Sequence, residues 1–566
     1  MHKLFKYSLN FNSIKTSPTM CAMRVYELQA QGKPVISNYA RSVFNKFPEM
    51  RIVPEVTKLR AFDGEANFLE ELQVANELLV DSQLRLNSFA VVSSMCRAVG
   101  LPEADERSSK VLLYAVDGID VEGFKARQEF AEIEVAKSEA EFLRLVADGN
   151  YGYVGAISQQ YAYDKYYVAS KLAGFVYTDS DFISQDVCFS DGEYRRGRVH
   201  EYESRATDRC LTILDASSEG AEEFVLGELS EFHGQGYFAD PFGVGYSNYV
   251  AAVSEAKKVE EKALTIIVPV FNNGRFLKAK CMASIKRDPN WRSFKILLID
   301  DGSTDNETID ICREIAAHYE NVEFHGFFDG GSGTASRARN RGLELAKTEL
   351  VTFLDPDNEI SEAGYSKLLD HYHSVRSNGN LCDLVSGFQV KVGREVKWTG
   401  RHTEKEPTLV ADAKESFFDR GKFPVVSSQA SVMRKDLLEK NGVKFVEGAA
   451  GQDTLFGWEI LFYAVNPLFV SDAYIIYYAE RDGSVTNRVT EDYFKRCLTL
   501  EKRQVAALKE MGVYDAYVTN QFDSFMRNWY MKKLENVDSD GLASAIQILA
   551  EISLLYGKEP ADYGLK

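Results

Sequence analysis

Four places in this chain group residue types that can do chemistry together. Asp355-Pro356-Asp357 follows the apolar run Leu350–Leu354. The proline ends the extended run and gathers two carboxylates into one small volume. Like charges that close are costly unless something neutralises them. Mg2+ or Mn2+ prefers such hard oxygen ligands and leaves positions open for phosphate oxygens. Asp300-Asp301 ends the run KILLI, where a carboxylate can accept from a nucleobase imide or a ribose hydroxyl. Ser303 or Asp305, just behind, can cap a helix over Glu307–Ala317. Arg339 falls inside the apolar stripe Ala335, Ala338, Gly342, Leu343, Leu345 and Ala346, while Arg337, Arg341 and Glu344 fall opposite. A buried arginine needs a carboxylate or a phosphate. Last, Asp453 precedes the apolar helix TLFGWEILFYAV, either as its N-cap or as a carboxylate kept for proton abstraction. Arg481 and Ser484 follow on a Gly-containing loop suited to close over a charged ligand.

The elements that must position these residues are short. Thr265–Val270, Lys295–Ile299 and Leu350–Leu354 read as buried strands, each ending in a polar cluster. Helical patterns between them predict a parallel sheet. In such sheets ligands gather at the carboxyl ends of the strands, where Asn272, Asn273, Asp300, Asp301, Asp355 and Asp357 stand.

Composition narrows the classes. At 566 residues the chain exceeds one core, and about three or four domains are expected. With 66 basic against 84 acidic residues the net charge is −18, and no Lys/Arg run exists to hold nucleic acid. A divalent cation can still bring an acidic site to an anionic substrate. The eight scattered cysteines form no CxxC pair, which opposes a zinc knuckle or disulfide framework and suits a reducing cytosol. No apolar run approaches the roughly 18 residues of a membrane span, and the amino terminus lacks the apolar segment of a secretory signal. A cytoplasmic protein is expected, with peripheral attachment to the inner face of the membrane left open.

Taken in order, residues 1–108 hold a short amphipathic helix (Arg24–Gln31), a strand (Val35–Asn38) and a mostly helical stretch. Residues 109–250 read as an α/β accessory domain with a strand KVLLYAVDG, a long helix over Val121–Ala147, and strand candidates YGYVGAIS and GFVYTDSDFIS. Asp179-Ser180-Asp181 looks like a second D-x-D, read here as a solvated turn. The charged run Ser254–Lys262 is the linker into a main domain over 263–490, and residues 491–566 form a helical appendage.

Taken together, the motifs of Ala263–Asn487 resemble the inverting family-2 glycosyltransferases with a GT-A fold. The resemblance implies an α/β, mostly parallel sheet flanked by helices. It implies nucleotide binding, most often UDP, by Pro269, Val270, Phe271, Asn272, Asp300, Asp301, Arg339, Asn340 and Asp355, with the late loop contributing Arg481 and Ser484. It assigns Mn2+ or Mg2+ to Asp355 and Asp357 and the catalytic base to Asp453. The partners implied are a nucleotide-sugar donor and a glycan or glycoconjugate acceptor. Two departures stand out. Gln452-Asp453 replaces the usual Glu-Asp, removing a like charge beside the base. Arg481 stands near the family's late-loop histidine, so it is read as a diphosphate ligand. Residues 19–40 resemble the end of a GT-B nucleotide domain, and Glu27, its donor-contacting position, is read as structural in this isolated piece; a duplicated, decayed glycosyltransferase-like domain over residues 109–250 is the alternative reading of Asp179-Ser180-Asp181. The alternatives are a metal-dependent sugar nucleotidyltransferase, for which VFNNGRFLKAK holds only a faint phosphate loop, and a non-catalytic scaffold.

Overall fold

The computed structural model describes residues 8–10, 25, 28, 35–48, 50–53, 110–128, 132–163, 167–186, 189–190, 193–194, 198, 201–239, 244–246, 263–393, 395–403, 405–479 and 489–565. The expected helix Arg24–Gln31 with Glu27, and the loop residues Arg481 and Ser484, lie outside the described residues. The chain forms two compact units. One takes in residues 1–10, 22–36 and 60–258, the other residues 11–21, 37–59 and 259–566.

The first unit holds a seven-stranded mixed sheet in the order Glu201–Ala206, Phe232–Phe238, Phe182–Ser184, Ile213–Asp215, Tyr153–Ile157, Lys110–Ala115, Glu132–Ala136. The single helix expected over Val121–Ala147 is corrected. Two helices, Val121–Arg127 and Glu139–Ala147, flank the strand Glu132–Ala136. Glu-Ile-Glu-Val-Ala alternates with period two and pairs in parallel with Lys110–Ala115. Asp120 and Ser138 supply the two caps, which helical composition alone does not locate. Similarly, GFVY completes a helix, Tyr167–Tyr177, and only Phe182–Ser184 is extended. Asp181 accepts the Gln235 amide at 2.7 Å, tying its turn to the strand beyond.

The second unit is built on a ten-stranded sheet among the described residues. Its elements are β1 (Leu264–Val270), β2 (Phe294–Asp300), α1 (Asn306–His318), β3 (Val322–Gly326), α2 (Ser336–Leu345), β4 (Leu350–Phe353), β5 (Glu359–Ile360), β6 (Leu384–Val392), β7 (Ser431–Arg434), α3 (Gln452–Tyr463), β8 (Leu468–Tyr478), α4 (Glu491–Glu510) and α5 (Ser539–Leu555). The strand order is β3-β2-β1-β4-β7-β6-β8-β5, with Lys397–Thr399 pairing β6 and Thr408–Leu409 pairing β8. The first four strands run parallel. The chain leaves β1 toward β2 and β3, then returns to β4 on the other side. That reversal opens a crevice at the carboxyl ends of β1 and β4. Every residue of β1 is buried, as a strand covered on both faces requires. Pro269 is tolerated in this central strand because the β4 ladder stops at Ile267.

Helix α2 lies so close to β1 that a Cβ on Gly342 would stand 2.3 Å from Ile267 Cγ2. That approach sets the height of Arg339, one turn earlier. The carboxy-terminal helices share one core with the sheet: Tyr493, Phe494, Leu508, Leu549 and Ile552 join Ile267, Phe353 and Phe456. Residues near the amino terminus also pack on this unit. Tyr39, Phe44 and Ile52 cluster with Phe388, Val390, Ile476 and Tyr478. Behind the crevice, Glu359 takes Arg287 at 2.6 Å, the Tyr478 hydroxyl at 2.7 Å and Lys280 at 3.2 Å. Lys280 also donates to the Met50 carbonyl at 2.9 Å. Burial pushes the Glu359 carboxyl up, but these cations and the hydroxyl overcome it and hold the group at about 2.

Candidate active site

The crevice is organised by one guanidinium. Arg339, 2% exposed, donates from Nη2 to Asp355 Oδ1 at 2.7 Å and from Nη1 to Asp453 Oδ1 at 2.6 Å. Its Cζ lies 4.9 Å from the centre of the Phe445 ring. Three parts of the sequence thus meet: α2, the turn after β4 and the first turn of α3. Asp355 is held from a fourth side. Gln429 donates to its Oδ2 at 3.0 Å and accepts its backbone amide at 2.9 Å. Gln429 carries no motif in PVVSSQAS, so its role was invisible in the sequence. Asp357 stands two residues on, half-buried.

Asp453 is not the cap of α3. Gly451, at φ 82, occupies that position without a side-chain bond. This removes the capping alternative. One oxygen of Asp453 is fixed by Arg339; its Oδ2 accepts no hydrogen bond among the described residues, and 52% of the side chain meets solvent. The protein surrounding the carboxyl raises it above the ordinary 3.8, and the charge of Asp355 adds to the rise; Arg339 opposes both.

Other expected site residues serve the walls. Asp300 is wholly enclosed and accepts from the Gly302 amide (3.1 Å), the Ser303 amide (2.9 Å) and the Ser303 hydroxyl (2.5 Å). Asp305, not Ser303, caps α1. Asp301 accepts from the Ser332 amide and hydroxyl and from Arg337 Nε at 2.7 Å. Arg337, which helical spacing places on the solvent side, forks between Asp301 and Asp329. The partner lies in a loop that periodicity cannot see. Asn340 clamps the Phe445 amide and carbonyl and also donates to Glu447. Pro269 and Val270 are buried in β1, and only Phe271 and Asn272 emerge. Asn272, at φ 49, accepts the Thr304 amide at 2.8 Å, pinning the β1 turn to the β2 turn. Phe271 rests on Gly331, where φ is 94 and a Cβ would stand 2.5 Å from the ring. From α4, Arg496 donates to the Gly333 carbonyl at 2.6 Å, tying the same loop to the carboxy-terminal helices.

Asp355 and Asp453 put two negative charges on one guanidinium, and Asp357 lies alongside. The donor set suits a hard divalent cation: one or two carboxylates with phosphate oxygens and water complete the usual Mg2+ or Mn2+ shell. Among the described residues no group of three or more His, Cys, Asp or Glu forms a cage, so the remaining ligands would come from substrate and water. Lys280, in the faint phosphate loop, is instead buried against Glu359. No helix among the described residues is long and apolar enough to cross a membrane.

Residues 265–442 match the family described as Glycosyl transferase family 2. An uncharacterised glycosyltransferase, YibD, of Escherichia coli is 27% identical over 42% of this chain and 70% of its own length. The poly(ribitol-phosphate) beta-N-acetylglucosaminyltransferase TarP of Staphylococcus aureus is 29% identical over 40% of this chain and 66% of its length. The GalNAc(5)-diNAcBac-PP-undecaprenol beta-1,3-glucosyltransferase of Campylobacter jejuni is 25% identical over 41% and 70%. Among solved structures, S. aureus TarS 1–349 with UDP-GlcNAc superposes with a TM-score of 0.41 at 19% identity, over 52% of this chain and 81% of that one. Residues 265–442 match glycosyl transferase family 2 and the relatives they match are glycosyltransferases, so the chain is read as a glycosyltransferase built on a family-2-like domain.

Proposed function

We propose that the second unit transfers a hexose from a UDP-sugar to a glycan or glycoconjugate hydroxyl, with inversion and with Asp453 as base. The observation that carries this is the Arg339 fork, which spaces Asp453 from Asp355 across the crevice. Arg339 orients one oxygen of Asp453 and leaves the other open toward solvent, so the base is aimed and accessible together. Asp453 Oδ2 takes the proton of the acceptor hydroxyl as that oxygen attacks the anomeric carbon. Attack from the side opposite the diphosphate inverts the configuration. Asp355 and Asp357 would hold Mg2+ or Mn2+, whose charge offsets that building on the leaving diphosphate. The names of TarP and the Campylobacter enzyme, one moving N-acetylglucosamine to poly(ribitol phosphate) and one glucose to a diphospho-undecaprenol glycan, support a hexosyl donor and a polymeric acceptor. The first unit is read as an accessory that packs or places the acceptor.

The decisive variant is Asp453→Asn, which keeps size and cannot disturb a cap, since Gly451 holds that position. UDP-sugar binding should persist while transfer falls by roughly 10²-fold or more, the scale of lost general-base assistance. Turnover near the wild-type rate would place the base elsewhere.

A further inference from the structure

The family match ends at residue 442, yet the carboxy-terminal helices reach back to the crevice through one residue. Arg496, in the second turn of α4, bonds in two directions. Its Nη1 donates to the Gly333 carbonyl at 2.6 Å, and its own carbonyl accepts the Ala450 amide at 3.3 Å. Gly333 stands six residues before Arg339, and Ala450 three before Asp453. A single α4 residue therefore bridges the two loops that lead into the Arg339–Asp453 pair.

The side-chain arm is built for a close approach. Gly333 sits at φ 81, and a Cβ there would stand 2.8 Å from Arg496 Nη1. Asp492, one turn earlier on α4, accepts from Arg496 Nε at 2.7 Å and so aims the guanidinium. The loop it grips is the one whose Ser332 bonds Asp301 and whose Gly331 seats the Phe271 ring. Gly330, Gly331 and Gly333 all have positive φ, so this backbone has many conformations to lose and gains order from a fixed point. The main-chain arm depends on no particular side chain. Packing backs it: Leu500 and Ala507 of α4 cluster with Ala449 and Leu455, which flank Gly451 in the chain.

We propose that Arg496 is a positioning residue for donor binding: its guanidinium holds the 329–334 loop in the form that receives the nucleotide, while its backbone holds the loop before Asp453. The carboxy-terminal helices then form part of the donor site. This rests on the reading of the crevice as a UDP-sugar site.

Arg496→Met keeps the apolar stem and the backbone arm and removes only the guanidinium. Arg503→Met, on the same helix, removes an ion pair to the enclosed Glu459 of α3 at 2.7 Å. It loosens α4 without cutting the Gly333 bond, and so controls for a general loss of stability. The full-length wild type and both variants are compared by hydrogen exchange over residues 329–334, where Asp301 holds the Ser332 amide, and by calorimetric UDP affinity with Mn2+. Arg496→Met should speed exchange in that loop and weaken UDP binding by about tenfold, the scale of one hydrogen bond to a charged group. Arg503→Met should lower the melting temperature and leave both readings at wild type. Unchanged exchange in Arg496→Met overturns the proposal. Faster exchange with unchanged UDP affinity overturns it as well, since the loop would then move without consequence for the nucleotide. Equal losses in the two variants do the same, because α4 would then act through overall stability alone. Absence of UDP binding by the wild type would instead remove the donor reading and the nucleotide half of the proposal with it, and exchange alone would decide whether Arg496 holds the loop.

Discussion

Replacing Arg339 by methionine separates the two kinds of work this guanidinium does. Methionine keeps the apolar stem against Phe445 and removes the charge. Asp355, 25% exposed, then loses its cation but keeps the Gln429 bond. Breaking one side of a fully buried pair costs about 3–5 kcal/mol, so the partial exposure and surviving bond put this loss near 3 kcal/mol. Asp453, 52% exposed, adds at most about 1 kcal/mol, because solvent screens it. A deficit of about 3–4 kcal/mol is expected at neutral pH. All four tryptophans lie at or beyond residue 291, within the second unit, so urea unfolding followed by tryptophan fluorescence reports on that unit alone. The sign of the pH dependence is also fixed. Asp453 already has a folded value above 3.8, so its ionised form costs stability above that value and the cost fades on acidification. Removing Arg339 enlarges this cost, and the variant's deficit should therefore narrow as Asp453 protonates. A deficit below about 1 kcal/mol, or one equal at pH 7 and pH 4, would show that Arg339 acts as packing and not as counter-charge.

Further outcomes follow from the same geometry. Asp357→Ala should abolish Mn2+-dependent UDP affinity, read by calorimetry with and without the metal, because a methyl cannot join cation to diphosphate. Glu359→Gln should lose stability at pH 7: a carboxyl held at about 2 against an ordinary 4.5 stabilises above 4.5, and that gain disappears as pH falls from 4.5 through about 2, so the variant's acid-unfolding curve should be flatter there. Gly342→Ala should cost about 1–3 kcal/mol by overpacking Ile267, and because it lifts α2 it should also slow transfer more than it weakens UDP binding. A fragment starting at Val253 should melt lower than one that also supplies residues 37–59, since it uncovers Phe388 and Tyr478 and leaves Lys280 without the Met50 carbonyl; equal melting would assign those residues no structural role.

What the sequence discloses and what it hides divide along the range of the interactions. β1, β2 and β4 were legible because each is a short apolar run with both faces buried, and α2 betrayed Arg339 because a charge inside an apolar stripe breaks the helical period. The two carboxylates that Arg339 serves lie 16 and 114 residues away, and no local pattern encodes such a meeting. Asp453 looked like a cap because caps are common before apolar helices, while the backbone at Gly451 had already met that need. Asp300 and Asp301 read as ligand contacts because polar residues at strand ends usually face the crevice, and Asn340, on α2, through the family resemblance alone. In the folded chain they accept and donate within the walls, holding Ser303, Ser332 and Phe445. A site of this kind needs two populations of polar residues, one facing substrate and one fixing the first. Residue type does not distinguish them; only the count of hydrogen bonds already satisfied does. On that count Asp453 Oδ2, which accepts no hydrogen bond among the described residues while Arg339 fixes its twin oxygen, supports the role of base proposed for it.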